Sequence, residues 1–223
     1  MSKPETIVIQ QCTRDQVASV VFLHQRCIRT GFLSRLGPRF LAELYKSIGR
    51  SPYSKVFVAV DPGAQKAAGF AACSQDTAAM YRHILFRRGV LFFFLLLPRA
   101  FLPNNLKFIC ETLFYPHKAK EEDATRNGTG GSRPAAEGRT VEPRAELLSI
   151  AVSGDSRGKG VGRQLLAALE SYLRENGAAS YKTVTFSTDC DSNAFYTKCG
   201  FVLQKQVVHH GNVLNQYVKV LAK

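Results

Sequence analysis

Residues 145–173 have the sequence AELLSIAV-SGDSRGKGVG-RQLLAALESYL, and the interpretation of the rest of the chain starts from this stretch. Its first block is apolar and ends at the turn formers Ser153 and Gly154, which predicts a β-strand. Its last block repeats leucine at a period of about 3.6 residues, which predicts an amphipathic helix. A strand, a glycine-rich turn and a helix therefore follow one another here.

The turn is suited to binding a phosphate group. Glycine lets the backbone bring several N–H groups close to a ligand, and the start of the next helix adds unpaired donors and partial positive charge. Arg157 and Lys159 add full charges. The turn is not a Walker loop, because Gly162 is followed by Arg-Gln rather than Lys-Ser/Thr. It is not a Rossmann fingerprint either, because this third glycine comes too early after Gly158 and Gly160.

A second motif follows about thirty residues downstream, behind another strand candidate at 181–188. It contains Asn193, Ala194, Phe195 and Tyr196, and it closes with the pair Gly200-Phe201. The turn, with Arg157, Gly160 and Gly162 in the order Arg/Gln-x-x-Gly-x-Gly/Ala, resembles the acetyl-CoA pyrophosphate loop of the GNAT N-acetyltransferase superfamily. The second motif resembles the other signature of that superfamily, and the two occur in the family's order.

The resemblance implies a single GNAT acetyltransferase domain over residues 1–223. Its fold would be α/β, with α and β elements in layers: a mixed, mostly antiparallel central sheet flanked by helices. The N-terminal pattern agrees, with a strand at 6–10, a helix starting at Thr13 and a second helix near Pro38. A hairpin is predicted around Asp61-Pro62-Gly63, and a last hairpin over 201–221.

Two segments stand outside this pattern. Residues 77–115 form a predicted helical insertion that is crowded with Phe and Leu, punctuated by Arg and broken by Pro98 and Pro103. Three interpretations remain: a helix packed on the sheet or in a homodimer contact, a peripheral membrane contact through 82–109, or a wall for a lipid-linked or aromatic substrate. Residues 117–144 are rich in Gly, Ala and charge and predict a disordered or mobile loop, either a passive length variation or a lid.

The composition limits the partners. The formal net charge is +13, which attracts nucleic acid, anionic lipid and anionic small molecules, and coenzyme A accounts for part of it. We expect no nucleic-acid partner, because no nucleic-acid-binding motif is present. Six cysteines without metal spacing predict no metal site and a reduced, cytoplasmic compartment. The N-terminus lacks a signal-peptide core, and residues 90–97 are too short to span a bilayer.

The resemblance also implies where acetyl-CoA, the co-substrate, would bind. It would occupy a V-shaped gap between the strands 145–152 and 181–188, with its pantetheine arm along the backbone of the first strand. The cofactor-binding residues implied are Ile150, Ala151, Val152, Arg157, Gly158, Lys159, Gly160, Val161, Gly162 and Asn193. For Asn193, a contact with the cofactor arm and a role as a helix N-cap are both compatible with the sequence.

Two residues are candidates for catalysis. Tyr196 lies where the family places its general acid; a phenol is protonated at neutral pH, and the alternative is a core aromatic. Glu146 is the one carboxylate in an apolar strand and is the candidate base; the alternatives are a solvated residue at the strand entry and deprotonation through water. The reaction implied is acetyl transfer to a primary amine of a small molecule or amino-sugar. A protein N-terminus or lysine as acceptor, and a non-catalytic module that binds anionic membrane or nucleic acid, remain alternatives.

Overall fold

The computed structural model describes residues 7–28, 32–63, 66–100, 142–209 and 211–222, which form one seven-stranded sheet with helices on both faces. The strands are β1 (Val8–Gln11), β2 (Ser54–Asp61), β3 (Lys66–Ser74), β4 (Ala145–Val152), β5 (Ser180–Phe186), β6 (Val202–His209) and β7 (Asn212–Val220). The helices are α1 (Val17–Cys27), α2 (Phe32–Arg35), α3 (Gly37–Arg50), α4 (Thr77–Ala100), α5 (Val161–Glu175) and α6 (Cys190–Lys198). The strand order is β1-β2-β3-β4-β5-β7-β6, and every neighbouring pair is antiparallel except β4 with β5.

Alternation along β3 separates two hydrophobic clusters, one on each face of the sheet. Phe70 and Ala72 join the cluster that holds the apolar sides of α1, α3 and α4. Ala71 and Cys73 join the cluster beneath α5. Successive side chains of a strand point to opposite faces, so one apolar strand serves both layers. The sheet is therefore the middle layer of three.

Helix α5 packs closely on the centre of the sheet. Its apolar stripe is buried, as the spacing predicts, and Leu165 and Leu169 are fully buried. The close approach requires a glycine on the strand below: a Cβ on Gly69 would lie 2.8 Å from the Ala151 carbonyl oxygen and 3.2 Å from Leu165 Cδ1. Because such a buried leucine is tightly surrounded, Leu169→Ala should cost about 2–5 kcal/mol of stability.

The predicted fold class is confirmed, and two local predictions are wrong. Helix α1 begins at Val17 rather than Thr13, because the Gln16 N–H donates to the Thr13 carbonyl (3.2 Å) and the Val17 N–H to the Arg14 carbonyl (3.3 Å), which makes residues 13–17 a tighter turn than an α-helix. The Gln16 side chain still accepts from the Thr13 N–H (3.0 Å), as in a capping box. Helix α4 is one continuous element through Pro98 to Ala100. A proline removes one intrahelical hydrogen bond, and in the last turn of a long helix that loss does not end it. The short α2 was not expected from the sequence.

Parts of the two unusual segments lie outside the described residues. This applies to 101–115 of the predicted insertion, with Pro103, and to 117–141 of the predicted loop. Within the described ranges, no helix is both long and apolar enough to cross a membrane.

Candidate active site

The central feature of the site is a gap between β4 and β5. These strands pair only at Ala145 with Tyr181 and at Glu146 with Lys182. Beyond those pairs they separate, while β5 keeps its full antiparallel ladder with β7. The gap opens into a cleft of about 1170 Å³, bounded by residues 148–152 of β4 and 184–186 of β5. A parallel pair that parts in mid-sheet leaves one backbone edge of β4 without a ladder partner in the described structure.

A bulge in β4 changes which side chains face the helices. Ala72 pairs with Ser149 and Cys73 with Leu147, so Leu148 is the extra residue. Such a bulge bends the strand and redirects its side chains. Leu148 packs against the cluster under α1 and α3, and the Ser149 hydroxyl lies 3.1 Å from the Tyr45 hydroxyl of α3. Two consecutive residues therefore face the same helical layer, and Ser149 also lines the cleft.

Backbone donors form the other end of the cleft. Gly158 and Gly160 have φ angles of 75° and 80°, and Gly160 is the left-handed residue that begins α5, with no side chain capping that helix. The first helical hydrogen bond runs from the Gln164 N–H to the Gly160 carbonyl (3.1 Å). The N–H groups of the preceding residues have no intrahelical acceptor, as at every helix start. This end of the cleft is therefore a cradle of donors suited to an anion.

The charged residues of the turn differ in position. Arg157 lines the cleft, and its Nε donates to the Val152 carbonyl at the end of β4 (3.4 Å). Arg163 lines it too, whereas Lys159 is exposed and is not part of the cleft wall. Gly162 is constrained differently from Gly160: a Cβ there would lie 3.1 Å from the Phe195 ring of α6, so that ring would have to move slightly.

Asn193 binds the protein itself. Its side-chain amide nitrogen donates to the carbonyls of Phe186 (2.9 Å) and Asp189 (2.6 Å). Its side-chain oxygen accepts from Asn215 (2.7 Å) and the Tyr217 hydroxyl (2.9 Å). These bonds use both its donor and acceptor capacity and tie α6 to β5 and β7. The N-cap of α6 is Asp189, not Asn193, and Asp189 lines the cleft.

The Tyr196 side chain of α6 contacts β5 close to the point where β4 and β5 separate. Its ring is buried against Phe195, Phe201 and Tyr217. Its hydroxyl shares a hydrogen bond with Thr183, whose own hydroxyl donates to the Leu147 carbonyl (3.2 Å). Burial raises the pKa of Tyr196 to about 12, so the phenol is protonated at neutral pH. Tyr196 is not one of the residues that line the cleft.

Glu146 lies at the closed, paired end of the gap. Its Oε2 accepts a hydrogen bond from the Thr77 hydroxyl of α4 (3.1 Å), and Lys182 is its cross-strand partner. Desolvation raises the pKa of its carboxyl, while the Lys182 charge and the Thr77 hydrogen bond act in the opposite direction. Like Tyr196, it lies outside the cleft wall.

Two helical side chains near Ser149 were not expected at the site from the sequence: Tyr45, which contacts Ser149, and His24, which contacts Tyr45. His24 of α1 lines the cleft, and its Nδ1 lies 2.6 Å from the Tyr45 hydroxyl, which continues to Ser149. His24 and Tyr45 are only 2% and 3% exposed, and burial lowers the pKa of His24 to about 4. The available signal was one histidine on the apolar face of a helix, which by itself indicates an ordinary core residue.

Comparison with known proteins identifies the family. Residues 103–201 match the model of the acetyltransferase (GNAT) family, a range that takes in β4, α5, β5 and α6. Residues 103–201 therefore carry a GNAT acetyltransferase domain. The resemblance inferred from the two motifs is therefore confirmed. No curated protein matches the sequence.

Solved structures share the fold of this chain at low sequence identity. One is a protein assigned to the GNAT family from Desulfovibrio desulfuricans, with 15% identity, 97% of this chain and 100% of the other covered, and a TM-score of 0.56. Another is the ribosomal-protein-S18-alanine N-acetyltransferase from Escherichia coli, with 13% identity, 98% of this chain and 96% of the other covered, and a TM-score of 0.57. A third is named as a phosphinothricin N-acetyltransferase, with 15% identity, 98% of this chain and 100% of the other covered, and a TM-score of 0.55. GNAT enzymes use acetyl-CoA as co-substrate, and the donor cradle beside α5 fits the pyrophosphate of that molecule.

Proposed function

We propose that this protein transfers the acetyl group of acetyl-CoA to a primary amine of a small molecule or amino-sugar, by direct attack in a ternary complex. We further propose that residues 1–223 form one domain for this reaction. The observation that carries the proposal is the β4–β5 gap, which ends at the N–H-rich start of α5. A thioester supplies an activated acyl carbon, so the protein has to bind it, orient the amine and manage one proton.

Binding is assigned to main-chain groups. Beyond Glu146 the β5-facing edge of β4 has no ladder partner in the described structure, so an extended pantetheine arm can pair there as an added strand does, along Ile150, Ala151 and Val152. The pyrophosphate is assigned to the turn residues Arg157, Gly158, Lys159, Gly160, Val161 and Gly162. Asn193 is assigned to holding the end of β5 in place rather than to touching the cofactor, because its amide is already bonded within the protein.

Each of the two proton transfers is assigned to one group. We propose Tyr196 as the donor to the departing thiolate, since its phenol keeps its proton at neutral pH and its hydroxyl lies, through Thr183, at the point where the gap begins. We propose Glu146 as the base that deprotonates the amine, directly or through water, since burial raises its pKa towards the working range of a general base.

The acceptor class is inferred from the walls of the cleft. The neighbours named above include one that acts on a protein alanine and one named for the small molecule phosphinothricin, so a shared fold does not separate the two classes. The small-amine proposal rests on the wall that α1 and α2 add to the cleft, through Cys27, Ile28, Leu33 and Arg35. Acetylation of a protein N-terminus or lysine is the alternative.

Calorimetric titration with acetyl-CoA and with CoA tests the cofactor site first. Binding at micromolar concentrations, followed by thiol release with amines, would support the proposal. Panels of amino-sugars, small amines and peptides with free N-termini or lysines then compare the acceptor classes. A folded protein that binds neither form of CoA would refute the proposed function.

Initial-rate patterns test direct attack. Intersecting lines indicate a ternary complex, and parallel lines an acyl-enzyme. Cys27 supplies the control, because its thiol lies in the cleft with Sγ 3.6 Å from the Val152 carbonyl oxygen. Cys27→Ala should retain turnover if the amine attacks the thioester directly. Loss of turnover together with parallel lines would replace direct attack with transfer through this thiol.

A second role is favoured by the outer face of α4, namely peripheral contact with an anionic membrane. Phe86 is 94% exposed, and Leu85, Val90, Phe93 and Phe94 are also exposed. Arg82 and Arg87 flank them, and apolar plus basic side chains on one helix fit an anionic lipid surface. The part of the predicted contact from 101 to 109 lies outside the described residues.

Vesicle sedimentation tests this contact. Binding to anionic vesicles, weaker with neutral vesicles and reduced by Phe86→Asp, would support it. Phe22→Asp is the matched control, because Phe22 is an exposed phenylalanine of α1. Equal binding of the two variants to anionic vesicles would refute the proposal that the outer face of α4 makes this contact. Vesicle binding without any turnover would support the non-catalytic alternative, and a concentration-dependent mass that Phe86→Asp abolishes would indicate a homodimer contact instead.

A further inference from the structure

Three buried polar side chains, linked to one another by hydrogen bonds, have no role in the chemistry proposed above. His24, Tyr45 and Ser149 come from α1, α3 and β4, and their side chains are joined by contacts of 2.6 and 3.1 Å. The hydroxyl of Tyr45 lies between the other two groups. Two of the three residues, His24 and Ser149, line the cleft. The chain of hydrogen bonds therefore connects the interior of the helical layer with the place where substrates would bind.

The side chains around this hydrogen-bonded trio are apolar. The His24 ring stacks on Phe70 with ring centroids 6.3 Å apart and meets Tyr45 edge-on. Its Nε2 is buried and has no hydrogen-bond partner within the described part of the chain. Burying polar groups in such a cluster is unfavourable unless they are bonded, and an apolar trio would pack there without that penalty. Stability alone therefore does not account for this polar chain.

Ser149 lies at the end of the cleft that is opposite the anion cradle. A strand rises about 3.3 Å per residue, so Ser149 is about 10 Å along β4 from Val152, where the turn begins. With the pyrophosphate of CoA at the turn and the pantetheine arm on β4, the thioester end of the molecule reaches this part of the strand. The bulge at Leu148 directs the Ser149 side chain towards Tyr45 at the same place.

We propose that Ser149 is a catalytic residue whose hydroxyl carries the proton from the attacking nitrogen to the leaving sulfur, with Tyr45 and His24 as positioning residues. The proposal rests on the proposed acetyl transfer, but it replaces one part of it: Ser149, which lines the cleft, takes over the proton transfers assigned above to Tyr196 and Glu146, which do not line it. The C–N bond forms and the C–S bond breaks. The nitrogen gives one proton to Ser149 Oγ, and Oγ gives its own proton to the sulfur. The serine ends as it began, and the products are an amide and a free thiol.

The positioning residues have a defined task. A serine hydroxyl is small and rotates freely, so a shuttle of this kind needs a partner that fixes its oxygen. Tyr45 provides that bond, and His24 holds the Tyr45 hydroxyl at 2.6 Å. Because burial keeps His24 neutral, it bonds to a neutral phenol without placing a charge in the apolar cluster. The Tyr196 hydroxyl, which bonds Thr183, belongs to a separate contact.

The test compares Ser149→Ala with Ser54→Ala. Ser54 is a matched control: a buried serine of β2 whose hydroxyl donates to the Ile48 carbonyl (2.7 Å), not part of the cleft wall. Ser149→Ala should lower kcat by about 100-fold while the Kd for CoA changes by less than about twofold. Ser54→Ala should leave both constants unchanged. Ser149→Cys, which keeps the volume and a weaker donor, should recover part of the rate.

Tyr45→Phe tests the positioning role. It should lower kcat without changing the Kd for CoA, and the double variant with Ser149→Ala should be no slower than Ser149→Ala alone, because both remove one unit. Additive losses, or a full kcat in Ser149→Ala, would overturn the proposal while leaving the acetyl transfer intact. A wild-type protein that binds acetyl-CoA but transfers its acetyl group to no amine would refute the proposed function itself.

Discussion

The two ends of the cleft are constructed in opposite ways. At the turn end, the donors belong to consecutive backbone N–H groups around Gly160, so the site is a property of one short segment. At the other end, Ser149 meets Tyr45, which is 104 residues away along the chain, and Tyr45 meets His24, a further 21 residues away. One end is local in sequence, and the other exists only because three elements pack together.

This difference sets how each end responds to substitution. Backbone donors depend on conformation, so a residue that alters φ or fills the turn damages the first end most, while changes of exposed side chains matter less. Side-chain hydroxyls depend on chemistry, so removal of one oxygen damages the second end without moving the chain. We therefore expect binding and turnover to be separable along the cleft.

The largest expected effect is that of Gly160→Asp. The new side chain carries negative charge towards the phosphates and strains a residue with a φ of 80°, so CoA binding should weaken by about 100-fold or more. Calorimetry measures the loss. Gly177→Asp is the matched control, because Gly177 follows α5 with a φ of 78° and nothing within 4 Å of its added Cβ. Equal loss in both variants would attribute the effect to backbone strain rather than to the cradle.

Tyr196→Phe tests the tyrosine that bonds Thr183 of β5 separately from Tyr45, which contacts Ser149 of β4. If Tyr196 is the general acid, kcat should fall by about 10- to 100-fold with unchanged affinity for CoA. The lost bond to Thr183 should also lower the free energy of unfolding by about 1 kcal/mol. Steady-state kinetics and urea unfolding measure these quantities. Full activity with lowered stability would limit Tyr196 to packing and leave the proton to the Ser149 end.

The pH dependence of stability reports on the buried end. The pKa of His24 is about 4 in the folded protein and near 6.5 when unfolded, because burial disfavours the charged imidazole. The unfolded chain therefore binds more protons between these values, and stability is complete above pH 6.5 and falls towards pH 4. Between pH 7 and 4.5 the loss should be about 2 kcal/mol larger in the wild type than in His24→Gln. Parallel curves for the two proteins would contradict this assignment.

The smallest expected effect is that of Glu146→Gln. If Glu146 is the base, the acid limb of the pH profile of kcat/KM should disappear and the rate should fall by less than about tenfold where water replaces it. Its raised pKa also means that the ionised carboxyl opposes folding as pH rises through that pKa. The variant should therefore be no less stable than the wild type at pH 7. An unchanged limb would assign deprotonation to water alone.

Local patterns in the sequence were enough for the layered sheet and the anion cradle. The leucines of α5 repeat at the helical period and are buried, and the glycines at 158 and 160 have the positive φ that a tight turn needs. Such features are encoded within a few residues, because periodicity and backbone sterics act over one or two turns of chain.

Two features could not be obtained in this way. Asn193 lies three residues before Tyr196 in the motif, yet its bonds to Asn215 and Tyr217 depend on where β7 lies, and the N-cap of α6 is Asp189 instead. The start of α1 was also misplaced, because the backbone N–H groups of Gln16 and Val17 bond three residues back, to Thr13 and Arg14, and form a tight turn before the helix. In each case a side chain had several partners within reach, and the sequence does not rank them.

The amino-acid sequence alone therefore indicates the resemblance to the GNAT family, the order of the strands and of the helices other than α2, and a turn suited to binding an anion. Packing in three dimensions establishes the rest: the two-pair contact of β4 with β5, the bulge at Leu148, and the contacts of Tyr45 with Ser149 and with His24. The physical reason is the distance along the sequence over which each kind of interaction acts. Helix period and glycine conformation are properties of neighbouring residues, whereas a bulge and a buried hydrogen-bond chain arise only when distant segments compete for the same space.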